Sequence, residues 1–275
     1  MSTVEVHRCS GRVLPTWHAV LLVVEGMWTW YRRNWRATAI SSLLQPVLFL
    51  VAFGIGFGTL IDAGGRATQA TGGVPYLVYL APALLAVGAV QNAAFESTYP
   101  ILSAFKWQRT YWAVTATPIT PGQLAGGQLT WIALRLALSG SAYLLVIVLF
   151  GAVTGPGVPA ALGFAVLCGM AFSAPLVAFA ATQDNEGRVF AAVFRFVVMP
   201  MTLFSGTFFP ISQLPELVRP LAWISPLWHG TQLARGAALG TLQLWPGVGH
   251  TAYLTALLVA GILLARWRFQ VRLTT

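Results

Sequence analysis

Apolar residues along this chain gather into runs far longer than a soluble core requires, separated by shorter polar or proline-rich stretches. A helix rises about 1.5 Å per residue, so a hydrocarbon layer about 30 Å thick takes roughly 20 apolar residues to cross. Six segments approach that length: about Thr38 to Ile61, Tyr76 to Ala94, Leu124 to Phe150, Ala160 to Ala181, Phe190 to Phe208 and Val248 to Leu264. The pattern predicts an all-α integral membrane protein with six transmembrane helices.

Ahead of the first run the periodicity changes. Trp17, Val20, Leu21, Val24, Trp28 and Tyr31 recur at helical spacing, while His18, Glu25, Thr29, Arg32 and Arg36 fall on the other side. With Arg33 added, the segment is an amphipathic helix with a basic end, suited to lying in the membrane interface. The alternative is a short first span, which Glu25 interrupts. The expected division is therefore 1–37, a cytosolic tail and interfacial helix, and 38–275, one six-span domain.

Two connections are unusual. Ser97 to Gln123 carries Phe105-Lys106-Trp107-Gln108-Arg109-Thr110-Tyr111 and then Pro118 and Pro121, which reads as a short helix against the membrane ended by a turn. Phe209 to Gly247 is too long for a turn and too apolar for a free loop. Pro210, Pro215, Pro220 and Pro226 break it, and Trp223, Trp228 and Trp245 suit the interface. Short helices dipping part-way into the bilayer and packed on protein would satisfy its backbone, giving a re-entrant outer insert before the sixth span.

Composition agrees with this picture. Apolar residues make up 57% of the 275 and charged residues only 8%, against about 25% in soluble domains, so lipid must cover much of the exterior. The net charge of +9 could suggest nucleic acid in a soluble protein, but here its placement follows topology and nucleic acid is not an expected partner. With both termini in the cytosol, Arg8, Arg12, Arg32, Arg33, Arg36, Lys106, Arg109, Arg188, Arg266, Arg268 and Arg272 lie inside. Only Arg66, Arg219 and Arg235 lie outside. That asymmetry is the positive-inside rule for an even number of spans. Cys9 and Cys168 fall in a tail and a span, which gives no disulfide framework.

Several chemistries lack their residues. A G-x-x-x-x-G-K-[ST] phosphate loop needs lysine after glycine, and the one lysine, Lys106, follows Phe105. No H-E-x-x-H or G-x-S-x-G occurs, and His7, His18, His229 and His250 are scattered along the chain, with His229 read as a structural hydrogen-bonding residue. No catalytic, cofactor or metal residue is expected. The acids Glu5, Glu25, Asp62, Glu96, Asp184, Glu186 and Glu216 sit at span ends or in connections, so proton or sodium coupling lacks its usual mid-span carrier. Arg135 can contact an anionic substrate, or snorkel, or pair with Glu96. Gly54, Gly56 and Gly58 permit close helix packing, within the fold or between two chains.

Local motifs then point to a family. Tyr79-Leu80-Ala81-Pro82-Ala83-Leu84-Leu85-Ala86, Phe95-Glu96-Ser97-Thr98-Tyr99, Arg109-Thr110-Tyr111 and Ala116-Thr117-Pro118-Ile119-Thr120 resemble segments of ABC type-2 transporter permeases. So do Phe204-Ser205-Gly206-Thr207-Phe208-Phe209-Pro210, Gln213-Leu214-Pro215 and Ser225-Pro226-Leu227-Trp228-His229. The likeness runs over roughly Trp28 to Leu264. It is nearest to NodJ-like permeases of lipo-oligosaccharide export and to daunorubicin-type drug exporter permeases. Ala83 stands where the family usually has glycine, and Gln128 where the NodJ-like pattern often has glutamate.

The resemblance implies a multi-pass permease of a bacterial plasma (inner) membrane. Two permease chains, identical or sister, would work with two ABC ATPase subunits that carry the ATP and magnesium. The cargo would be hydrophobic or amphipathic (a drug, lipid or glycolipid), with efflux and antibiotic resistance among the outcomes. Phe105 to Tyr111 and the helix bearing Trp17, Trp28, Arg32, Arg33 and Arg36 would feel the ATPase, and Glu96, Gln128 and Arg135 would be polar pore or span contacts. The competing readings are an ATP-independent secondary transporter or channel, a membrane-embedded transferase, and a scaffold.

Overall fold

The computed structural model describes residues 14–57, 73–152, 155–185 and 187–274. Glu5, His7, Arg8, Cys9, Arg12, Gly58, Ile61, Asp62, Arg66 and Glu186 lie outside them, as does the end of the expected first span. Every regular element among the described residues is helical. In chain order these are α1 (Thr16–Phe49), α2 (Tyr76–Glu96), α3 (Tyr99–Lys106), α4 (Thr110–Thr115), α5 (Pro121–Leu149) and α6 (Val158–Ala180). They continue with α7 (Arg188–Val193), α8 (Met199–Phe204), α9 (Arg219–Ile224), α10 (Pro226–Leu239) and α11 (Leu244–Thr274).

Four described helices are long and apolar enough to cross a membrane: Tyr76–Lys106, which joins α2 to α3, and then α5, α6 and α11. They coincide with four of the six expected spans. The fifth expected span is instead a broken helix: α7 passes into five residues of π-helix, Phe194–Val198, before α8 ends at Phe204. The apolar run is real, but the wider turn and the bend after Phe204 stop one straight helix from using all of it. At the other end, α1 runs unbroken through the expected boundary at 37/38 and continues as π-helix, Leu50–Phe57. No glycine or proline falls between Trp28 and Ser41 to end it.

The bundle is built around α6. It packs against α2, α5, α10 and α11, while α1 lies along α5. Small residues make this possible: Ala161, Ala165, Cys168, Ala171, Ala174 and Ala178 are buried on α6. A Cβ at Gly230 of α10 would collide with the Cys168 side chain, so only glycine allows these two helices to meet so closely. Likewise a Cβ at Gly127 of α5 would lie 2.6 Å from Val23, which sets α1 tight against α5. Close approach of this kind replaces the hydrophobic effect as the packing force where lipid surrounds the helices.

The inward stripe of α1 is narrower than its apolar pattern: Ala19 and Val23 are buried, with Met27 and Tyr31 partly so, whereas Trp17, Leu21 and Trp28 stay exposed. A Cβ at Gly56 would meet nothing within 4 Å. The core has two halves. One, around Leu80, Leu84, Cys168, Leu227 and Leu233, surrounds the amino end of α2. The other, around Ile101, Phe105, Leu129, Val177 and Phe269, lies beyond its carboxy end.

Candidate functional site

The segment after α2 folds into an elbow. Thr98 leaves helical geometry, Pro100 starts α3, and Arg109 adopts left-handed backbone with φ of 51° before α4 begins. A non-glycine residue there carries roughly 1 kcal/mol of strain, so neighbouring packing must hold the turn. It does so through aromatic rings. Phe105 meets Tyr111 edge-on at 4.7 Å and Phe269 of α11 at 5.0 Å, and the Arg272 guanidinium sits 4.4 Å over the Phe105 ring.

Arg272 also donates to the Ala181 carbonyl at 2.7 Å and to Asp184 Oδ1 at 2.8 Å, while Lys106 Nζ donates to the Asp184 carbonyl at 3.1 Å. The elbow, the turn after α6 and the end of α11 thus form one plate. Tyr111 donates its phenol proton to Gln128 Oε1 at 2.9 Å, and burial raises that phenol's pKa, which keeps the proton in place. Thr120 and Gln123 close a capping box at the start of α5, with Pro121 at its first position. Gln123 Nε2 then donates to the Leu14 carbonyl, tying in the start of α1.

This geometry divides the residues expected to contact an ATPase. Phe105 and Tyr111 are buried, whereas Lys106, Trp107, Gln108, Arg109 and Thr110 are exposed, with Trp107 more than half accessible. A charge at Phe105 would therefore disrupt the core. Trp107, in contrast, offers a surface contact without that penalty.

One turn into the bundle, Glu96 of α2 and Arg135 of α5 form an ion pair of 3.1 Å, each side chain 10% exposed. Tyr31 of α1 lies under the guanidinium at 4.7 Å, and Trp131 packs edge-on to Tyr31. Of the three roles open to Arg135, pairing with Glu96 is the one the geometry displays. Gln128 joins the elbow, not this pair. Among the helix residues named from sequence, Trp17, Trp28, Arg32, Arg33 and Arg36 all lie on the exposed side of α1.

The opposite end holds what the sequence did not reveal. Arg235, expected on the outer side of the membrane, is buried on α10. Its Nε donates to the Tyr79 carbonyl at 3.2 Å, and its Nη2 to the carbonyls of Gly206 and Thr207 at 3.1 and 3.3 Å. The guanidinium stacks 3.8 Å over the Tyr79 ring. Around it, Tyr76 donates to the Phe208 carbonyl, and the Ser205 and Ser225 hydroxyls meet at 2.6 Å.

The histidines are also less scattered than their spacing suggests. His229 and His250 bring their Nδ1 atoms to 2.7 Å. Because His229 Nε2 must donate to the Trp223 carbonyl at 2.9 Å, its Nδ1 accepts the proton on His250 Nδ1. Tyr253 stacks on His229 and donates to the Ile224 carbonyl. The pair joins α10 to α11, which bears out a structural role for His229.

These clusters join helices to one another through an ion pair, hydrogen bonds and ring stacking. The family described as ABC-2 type transporter matches residues 18–239. The chain belongs to the ABC-2 type transporter family. Curated relatives include Nodulation protein J of Sinorhizobium fredii, 31% identical over 247 residues, covering 86% of this chain and 89% of that protein. Nodulation protein J of Rhizobium leguminosarum bv. viciae is 31% identical over 218 residues (76% and 81%), and that of Rhizobium meliloti 30% over 225 (78% and 82%). This ABC-2 permease is accordingly a bacterial multi-pass membrane protein. Family membership implies that an ABC ATPase subunit works with it.

Proposed function

We propose that this ABC-2 permease is the membrane subunit of an exporter that moves a hydrophobic or amphipathic cargo, such as a drug, lipid or glycolipid, out of the cytoplasm. Two permease chains, identical or sister, would enclose the path, and two separate ATPase subunits would bind ATP and magnesium. Six spans would cross the plasma membrane with both termini in the cytosol, and α9 and α10 would form the re-entrant insert at the outer face. The carboxy end of α2 is then cytosolic and its amino end faces outward.

The observation that carries this reading is the elbow. It exposes Lys106 to Thr110 on a plate braced through Phe105, Tyr111, Phe269 and Arg272 to α5, α6 and α11. A partner pressing on Trp107 would move three long helices together. ATP binding that favours one arrangement of the partner's subunits would shift the permease between inward- and outward-facing states.

The test is co-purification of the full chain from a native host in mild detergent. A nucleotide-binding subunit should accompany it in stoichiometric amount, and Trp107→Glu should lose that subunit while keeping its own melting behaviour. A chain that purifies alone and moves substrate without ATP would instead be a secondary transporter or channel.

A further inference from the structure

The amino end of α11 borders a hollow. A cavity of about 640 Å³ follows Leu244, Val248, Thr251 and Thr255 along one side of the helix, with Phe164 of α6 and Leu233 of α10 opposite. At one end it meets Leu242, in the link between α10 and α11. That side chain rests on two glycines. A Cβ at Gly236 would come within 3.0 Å of Leu242 Cδ1, and one at Gly247 within 3.4 Å. Backbone on both helices thus sets this end of the cavity, whose size is that of a site for a small organic ligand.

The described residues that line it carry no charge. Thr251 spends its hydroxyl proton on the Gly247 carbonyl at 2.8 Å. Water needs several polar partners and finds few along this stretch, while an empty space would strip the lining of dispersion contacts. The occupant is therefore apolar, and the dimensions narrow its identity. From Leu244 to Thr255 the helix rises about 16 Å, and one leaflet is half of a hydrocarbon core about 30 Å thick. Gln243 lies at the same end as Trp245, which is 83% exposed and suits the headgroup level. One polar end and an apolar length of one leaflet match a lipid.

The mouth also continues the exposed side of this membrane-crossing helix, where Val248 and Val259 are open. Lipid slides past a convex helix face, whereas a hollow between α6, α10 and α11 touches one chain from several sides. We infer that the hollow is a binding site for one acyl chain of a bilayer phospholipid, from the leaflet at the amino end of α11. The site rests on α11 crossing the membrane and stands whether or not the chain is an exporter. A bound acyl chain completes the packing among the three helices.

The test places the full chain in phosphatidylcholine nanodiscs that contain a phosphatidylcholine with a diazirine midway along one acyl chain. After irradiation, adducts are located by peptide mass mapping. They should concentrate at Phe164 and at residues 248–255, several-fold above Leu145 of α5, which is 62% exposed. Leu145 is a matched control, because its neighbours Tyr143 and Ile147 share a core with Leu254 of α11. A phosphatidylglycerol carrying the same diazirine should give the same map, since the lining holds no charge.

Ala252 is exposed, so Ala252→Trp fills the hollow without disturbing the core. It should remove the adducts there and leave those at Leu145 unchanged. Thr255→Trp should do the same from the other end, and decides the matter if the first variant folds poorly. Adducts that follow exposed area alone, with Leu145 labelled as heavily as the hollow, would overturn the site. So would a hollow without adducts, as expected if a second chain covers it, or labelling that persists in both tryptophan variants.

Discussion

Arg135 and Arg235 are equally buried, each 9% exposed, yet they are held in different ways. Arg135 meets a carboxylate and a tyrosine ring, both on long helices. Arg235 meets a tyrosine ring and three carbonyls, two of them from an irregular bend. The first arrangement depends on which side chains are present. The second depends on the path of the backbone, and no single side-chain change removes its acceptors. One end of the bundle is thus fastened by charge and the other by shape.

That contrast can be broken most forcefully at Glu96. Glu96→Ala strands a buried cation and should destabilise the chain by about 3–5 kcal/mol, while the double change Glu96→Leu with Arg135→Met should recover most of the loss. Thermal unfolding in detergent of the three chains checks both. Arg235→Met removes a charge that meets no carboxylate among the described residues, so its loss should be smaller, about 1–3 kcal/mol from bonds no longer made to the bend.

Lysine sharpens the difference. Arg135→Lys should keep much of the stability because a point charge still faces Glu96, whereas Arg235→Lys should behave like Arg235→Met because an ammonium cannot reproduce the fork. Gly206 has φ of +72°, and a Cβ there would lie 3.1 Å from Ile211 Cγ2. Gly206→Ala should therefore cost about 1 kcal/mol while leaving the Glu96 end untouched, as tryptophan fluorescence in a Trp131-only chain would report.

The smallest effect concerns pH. Burial first, and then the neighbouring His250, hold the His229 imidazole below its ordinary value, with the Trp223 carbonyl opposing them. The folded chain therefore favours the neutral ring, and its stability is complete above about pH 6.5 and declines as pH falls below that value. Melting curves between neutral and mildly acid pH should show this slope, and His229→Gln should flatten it.

Legibility from sequence followed the same division. Four spans were readable because lipid demands long apolar runs and little else does, although the helices of two of them run on past the expected ends at Ala94 and Leu264 to Lys106 and Thr274. Pairing with Glu96 was among the roles open to Arg135 from sequence, because the two opposite charges stood on consecutive spans. What holds Arg235 was not readable: its partners are carbonyls as far as 156 positions away, and a carbonyl leaves no mark on residue identity. The meeting of His229 with His250 depends on how α10 folds back on α11, and nothing in the spacing of the two residues states that fold. For the elbow, the motif located the segment, but only packing separated Phe105 and Tyr111 from Trp107.

The unbroken course of α1 has a mechanical consequence. Thirty-four residues of α-helix extend about 51 Å, longer than the hydrocarbon layer is thick, with tryptophans at one end and a widened π-helical turn at the other. Such a rod has no glycine or proline between Trp28 and Gln45, and Pro46, which cannot donate a backbone hydrogen bond, sits just before the π-helix. Torque applied at its aromatic end reaches Gln45 as tilt. The first compliant point is Pro46, and the π-helix that follows, where the hydrogen-bond ladder changes step, continues it. The chain therefore places its lever and its swivel in one continuous element, in that order.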